Sequence, residues 1–206
     1  DIRPLDLFPA GARKRIWDLK VNHLGRQYDV TGLFNFDASK PAYLNLNWKE
    51  LGIETEGTVH VFDYWNGEYM GAWEFGIGLE IMPASVRVLT LVPDNGKIQL
   101  VSTSRHITQG WVDLREFSSD AEGTVLSGTS TLPAGNEYKL HFAYPRGKYY
   151  RVKSATAITG KKKLAVAADS HQGWAEVSFT APVSGDILWS VTFEPDYAYS
   201  YITRQP

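Results

Sequence analysis

The chain has 206 residues, a formal net charge of −2 and no cysteine. That length can bury the core of one large β domain or of two small ones. The near-neutral charge gives no long-range field for nucleic acid or anionic lipid, and zero cysteines exclude disulfides, thiolate catalysis and cysteine-ligated zinc. No apolar run reaches the roughly 20 residues needed to span a bilayer, so neither a membrane nor nucleic acid is expected as a partner. The first residue is Asp1, not Met, which reads as a processed or excised piece, and no signal peptide is visible. A cysteine-free chain is compatible with export to the periplasm or exterior of a bacterium but does not decide the compartment.

Taken in order, the residues from Ala10 to Lys20 could begin as a helical turn, against the resistance of Gly11. Strand signals dominate from Tyr28 onward. Leu44, Leu46 and Trp48 share one face of a segment whose other face is Asn45, Asn47 and Lys49, a half-buried strand with a wet side. Trp48 to Leu51 can form a single helical turn before Gly52. Val59 and Val61 alternate with His60 and Phe62. Val86 to Val92 is apolar on both faces apart from Arg87 and Thr90, as a central strand should be. Pro93-Asp94-Asn95-Gly96 is turn chemistry, with fixed φ followed by residues that accept positive φ, and it marks the boundary between domains 1–95 and 96–206.

A second set of strands follows. Val112 and Leu114 alternate with Asp113 and Arg115, Leu140 and Phe142 with Lys139 and His141, Ala175, Val177 and Phe179 with Glu176 and Ser178, and Ile187, Trp189, Val191 and Phe193 with Leu188, Ser190 and Thr192. With segments near 151–158 and 163–168 the set numbers about seven, which suits an immunoglobulin-like sandwich. Lys161-Lys162-Lys163 after Gly160 reads as a solvated hairpin tip. The expected fold class is all-β, an antiparallel β-sandwich, and more specifically two packed sandwiches. The Tyr-rich tail from Tyr197 to Pro206 has no evident partner.

The order of features between Tyr28 and Pro93 carries a resemblance. A strand ending in Phe34-Asn35, a Leu51-Gly52 corner, the run Phe62-Asp63-Tyr64-Trp65, a tight glycine turn and a Pro83-Ala84-Ser85 entry to a Val/Leu strand together resemble the β-sandwich that follows the catalytic barrel in α-galactosidase (melibiase)-like glycoside hydrolases. The likeness is best over Arg15 to Pro93. It continues in Val101 to Gly110, VSTSRHITQG, a run similar to one in family 36-like members. From Trp111 onward it is diffuse, though Glu137-Tyr138, Leu140, Pro145 and Gly147 are consistent with it. The resemblance implies a retaining glycosidase whose two catalytic aspartates lie on a barrel outside this chain, so no catalytic residue is carried over and no cofactor is implied. An α-galactoside is then the leading substrate for the parent enzyme, and Asp1 to Phe8 would occupy the joint to the barrel. The implied partners are the catalytic barrel of the same polypeptide, carbohydrate, and a second copy of the chain in a homo-oligomer.

A glycosidase needs two carboxyl groups facing one cleft, roughly 5–10 Å apart. Glu74 and Glu80 are separated by Gly76 and Gly78, which suggests a bend or bulge, not one continuous face, and Asp113 and Glu116 should face opposite sides of a strand. Both pairs read as exposed strand carboxylates. Asp63, set among aromatics, and Asp29 need partners if they point inward, and a structural hydrogen bond to a loop is the expected role of Asp63. Five histidines scattered over separate segments offer no metal site. Arg105 and His106 read as a domain interface, a polar loop bonding the two sandwiches or meeting the missing barrel. Trp65, Trp73 and Trp111 are the candidate carbohydrate-binding rings, although tryptophan in a sandwich is more often core. Trp17, Trp48, Trp174 and Trp189 look like core. Two functions compete. An accessory brace for a barrel should expose an apolar patch along one sheet. A carbohydrate-binding module should expose coplanar aromatics with polar neighbours.

Overall fold

The computed structural model describes residues 2–4 and 13–197. Most of the expected barrel joint, and the tail beyond Tyr197, lie outside the described residues. The chain is all-β, built of antiparallel sheets, and it divides into two compact units, Asp1–Asp94 and Asn95–Pro206.

The first unit contains β1 (Ile2–Pro4), β2 (Ile16–His23), β3 (Arg26–Asn35), β4 (Ala42–Asn47), α1 (Trp48–Leu51), β5 (Val59–Asp63), β6 (Glu68–Trp73), β7 (Gly76–Ile81) and β8 (Ser85–Pro93). Six strands form one sheet in the order β1-β2-β3-β8-β5-β6, and β4 pairs with β7 in a separate two-stranded ribbon. The segment expected to open as a helical turn instead enters β2 at Ile16, because tertiary pairing decides it: Ile16 to His23 runs in unbroken register with Arg26 to Leu33. The central strand expected over Val86–Val92 is β8, between β3 and β5.

Period-two alternation then assigns the faces. Leu33, Val59, Val61, Leu89 and Leu91 point from the sheet onto Leu44, Leu46, Ile77, Leu79 and Ile81 of the ribbon. The single turn of α1 closes this core with Trp48 and Leu51. It starts where Asn47 accepts hydrogen bonds from the Lys49 and Glu50 amides, and stops at Gly52, whose φ of 68° is left-handed. At its two ends the inward face of the sheet turns polar. At one end Thr31 donates to Asp18, and Lys20 pairs with Asp29 and lies 3.6 Å from Asp18. At the other, the guanidinium of Arg87 holds the fully buried Asp63 at 2.5 Å.

The second unit contains β9 (Gln99–Thr103), β10 (Leu114–Ser119), β11 (Val125–Leu132), β12 (Glu137–Ala143), β13 (Tyr150–Thr159), β14 (Lys162–Lys163), β15 (Val166–His171), β16 (Trp174–Thr180) and β17 (Gly185–Pro195). Two sheets, β10-β11-β17-β13-β14 and β15-β16-β12-β9, face each other. Their order departs from the immunoglobulin arrangement expected from strand number, which places strands A-B-E-D against C-F-G. Here successive strands cross repeatedly between the sheets, as in jelly-roll sandwiches. The expectation of about seven strands falls short of the nine among the described residues, missing Gln99–Thr103 and Val125–Leu132, and connection order depends on which strands pair across long loops. Leu140, Phe142, Val177, Phe179, Ile187, Trp189 and Val191 fill the core.

Several individual expectations change. Trp48 and Trp189 are buried as expected, but Trp17 is exposed and Trp174 half-buried. Asp113 is buried and its neighbour Val112 exposed, the reverse of the alternation read from the sequence. The reason is that β10 begins only at Leu114, so Val112 and Asp113 lie in the bend before it, where period-two alternation does not hold. The bend expected between Glu74 and Glu80 falls at Glu74 and Phe75, just before β7, while Gly76 and Gly78 themselves sit in continuous register with β4.

Candidate functional site

The three candidate rings are all exposed, by 57% for Trp65, 44% for Trp73 and 47% for Trp111. Trp65 sits in the turn between β5 and β6 and meets the ring of Tyr64 edge-on at 4.9 Å. That turn is braced from beneath: Asn66 donates its backbone amide and side-chain amide to Asp63, and the Tyr64 amide donates to Val88. Asp63 therefore takes the loop-bonding role expected of it and adds an ion pair to Arg87. Trp73 pairs with Val59 at the far end of the same hairpin, about 17 Å away at the usual strand rise. Its indole N–H donates to the carbonyl of Met70, turning the ring back along its own strand. The two rings share no platform. Trp111 belongs to the second unit, in the loop between β9 and β10.

Arg105 and His106 open that same loop, Arg105 half-buried and His106 exposed. Buried polar groups tie down its base. Gln109 donates its backbone amide to Arg105 and accepts from the Ser102 hydroxyl, while Thr103 and Tyr138 both donate to Asp113, at 2.8 and 2.6 Å. Tyr138 in turn accepts from Ser130, which accepts from the Trp189 indole. Burial, reinforced by the Asp113 charge, pushes the Tyr138 phenol well above its ordinary pKa. It stays a neutral donor, as a structural link should. The sequence signal for this network is Asp113, whose expected place on an exposed strand face gives way to burial.

No pair of carboxylates considered from the sequence meets in one cleft. Asp113 is enclosed in the core, whereas Glu116 is exposed and accepts from Thr129. Glu74 lies in the loop between β6 and β7, and Glu80 on the outward face of β7. Asp18 and Asp29 share Lys20, but Asp18 is fully buried and out of reach of any substrate. Two concavities flank the first unit's ribbon end. One of about 430 Å³ is lined by Lys20, Asp29 and Glu54 among others, and one of about 740 Å³ by Lys49, Glu56, Glu74 and Phe75. Among the described residues no group of three His, Asp or Glu side chains is placed to hold a metal ion. None of the described helices is long and apolar enough to cross a membrane.

An apolar shelf on the outward face of the six-stranded sheet escaped the sequence reading. Trp17 pairs with Gly32, and Gly32 with Val88. The Phe34 ring lies over Gly32, so close that a Cβ there would stand 2.9 Å from it. Phe36 stacks on Phe34 with centroids 5.7 Å apart and planes within 6°, and the Arg13 guanidinium lies over Phe36. Val86 and Val88 continue the shelf, half-buried.

No protein-family model and no curated protein matches the chain. Two solved structures, both of glycoside hydrolases, are similar to it. α-Galactosidase I from Mortierella vinacea is 18% identical over 40% of this chain and 22% of that one, with a TM-score of 0.33. The isomalto-dextranase of Arthrobacter globiformis T6, solved with panose, is 12% identical over 94% of this chain and 37% of that one, with a TM-score of 0.35. The chain thus spans well under half the length of either protein. At these TM-scores neither likeness decides a function here.

Proposed function

We propose that this chain is a non-catalytic accessory region of a glycoside hydrolase, α-galactosidase-like in its parent activity, and that it braces the catalytic barrel of the same polypeptide. The observation that carries the reading is the shelf of Trp17, Phe34, Phe36, Val86 and Val88. It is a contiguous apolar face on the unit that bears the sequence resemblance, and such faces favour a protein neighbour over water. Arg105 and His106 take the matching polar role in this proposal, as contacts to the barrel. Trp65, exposed on a braced turn, favours carbohydrate binding as a second reading.

The purified chain should release no product from aryl α- or β-glycosides. Turnover that disappears on replacing one of its own carboxylates would overturn the accessory reading. In the longer polypeptide, Trp17→Ser with Phe34→Ser should lower the melting temperature of the barrel while leaving that of the isolated chain nearly unchanged. Equal effects on both would assign the shelf to this chain's own stability.

A further inference from the structure

We propose that the outward face of the β4–β7 ribbon binds a neutral pyranose ring, with Tyr43 as the stacking platform and Asn45 and Glu80 as its polar contacts. The inference goes beyond the bracing role and does not rest on it.

Alternation divides the ribbon cleanly. Leu44, Leu46, Ile77, Leu79 and Ile81 enter the core, which leaves Tyr43, Asn45, Gly78 and Glu80 facing outward. Register sets Tyr43 opposite Glu80 and Asn45 opposite Gly78. The absence of a side chain at residue 78 is what lets these groups converge. A Cβ there would stand 2.2 Å from the Tyr43 hydroxyl oxygen and 2.7 Å from both its Cζ and the Asn45 amide oxygen. The Tyr43 ring therefore leans along the ribbon over bare backbone, and the side chain as a whole remains 67% exposed. Among the described residues, none of the Tyr43, Asn45 and Glu80 side chains has a hydrogen bond or ion pair.

A supported aromatic ring bordered by one amide and one carboxylate matches the two sides of a sugar. The C–H face of a pyranose stacks on the ring, while its hydroxyls donate to Glu80 and exchange hydrogen bonds with Asn45. The ribbon's outward residues include a carboxylate and no cation, which disfavours an anionic ligand. A ring laid on glycine also shields strand backbone, a purely structural service. Such a service would affect stability alone.

The test is a 1H–15N spectrum of the full chain titrated with maltotriose, cellotriose and raffinose, with tri-galacturonate as the charged control. At least one neutral sugar should shift the amides of Asn45, Gly78 and Glu80, and the control should not. Tyr43→Ala should weaken binding about tenfold or more, whereas Tyr43→Phe should stay within a few-fold. Gly78→Ala removes no contact group but displaces the ring, so it too should abolish the shifts while the spectrum stays folded. The proposal fails if no neutral sugar at 20 mM moves these amides, if the shifts gather around Trp65 or Trp111 instead, or if folded Tyr43→Ala or Gly78→Ala binds as the unaltered chain does.

Discussion

The five-stranded sheet of the second unit faces a four-stranded partner, whereas the inward face of the first unit's six-stranded sheet meets, among the described residues, a two-stranded ribbon and one helical turn. The consequence shows in which residues point inward. In the second unit the inward positions of β12, β16 and β17 are almost wholly apolar, and the polar groups among them link through Asp113 and Tyr138 into one buried chain. In the first, apolar residues occupy the inward face only where the ribbon covers it. Beyond the cover, the same face carries Asp18, Lys20, Asp29, Asp63 and Arg87. Charge stands in where a packing layer ends, because a paired carboxylate tolerates enclosure that an unpaired one does not.

The largest loss is expected in the second unit. Phe142 packs edge-on against Phe193 and Trp189, with centroids at 5.3 and 6.2 Å. Phe142→Ala should cost about 4 kcal/mol, measured by urea unfolding with hydrogen exchange at β12 amides. A loss below about 1 kcal/mol would mean that this core is loosely filled.

In the first unit, Arg87→Ala strands Asp63 in the interior and should cost about 3 kcal/mol in the same measurement. Replacing both partners together, Asp63→Asn with Arg87→Met, should recover part of that loss. If the double variant is worse than the single one by a further 2 kcal/mol or so, the pair does more than balance charge.

Acid should separate the units by a smaller step. Burial, with Lys139 nearby, depresses the His141 pKa to about 3, so its approach to Glu176 at 3.5 Å is not an ion pair at neutral pH. An unfolded chain would protonate this histidine near 6.5. Between these values the unfolded state holds more protons, so the contribution is fully present above about 6.5 and is lost as pH falls toward 3. The second unit should lose at most about 1.4 kcal/mol per pH unit from this group, and His141→Gln should flatten the slope. An unchanged slope in that variant would place the acid sensitivity elsewhere.

The smallest effect belongs to the helical turn. Asn47→Ala removes the side chain that receives the Lys49 and Glu50 amides and should cost about 1 kcal/mol, with the loss confined to the first unit's transition.

Much of this was legible from alternation alone. The Asn45/Asn47 wet face, the one-turn helix before Gly52 and the inward row from Ile187 to Phe193 are local patterns, and each appears where the sequence places it. What was not legible depends on register between distant strands. Tyr43 meets Gly78 only because β4 pairs with β7 across a long insertion, and Trp17 meets Phe34 only through pairing with Gly32. The expectation for Asp113 fails for a different reason: it applies strand alternation ahead of Leu114, where β10 has not yet begun. Trp65 is exposed, but nothing in its sequence neighbourhood announces the Asp63–Arg87 brace beneath it.

Among the described residues, the last strand of each unit along the chain is an interior one. β8 lies between β3 and β5, and β17 lies between β11 and β13. During synthesis the earlier strands of a unit therefore leave the ribosome with the middle of their sheet unfilled and its hydrogen-bonding edges bare. Neither sandwich can close until its final strand emerges, which makes the half-made chain, more than the finished one, the form that needs guarding against strand-to-strand aggregation.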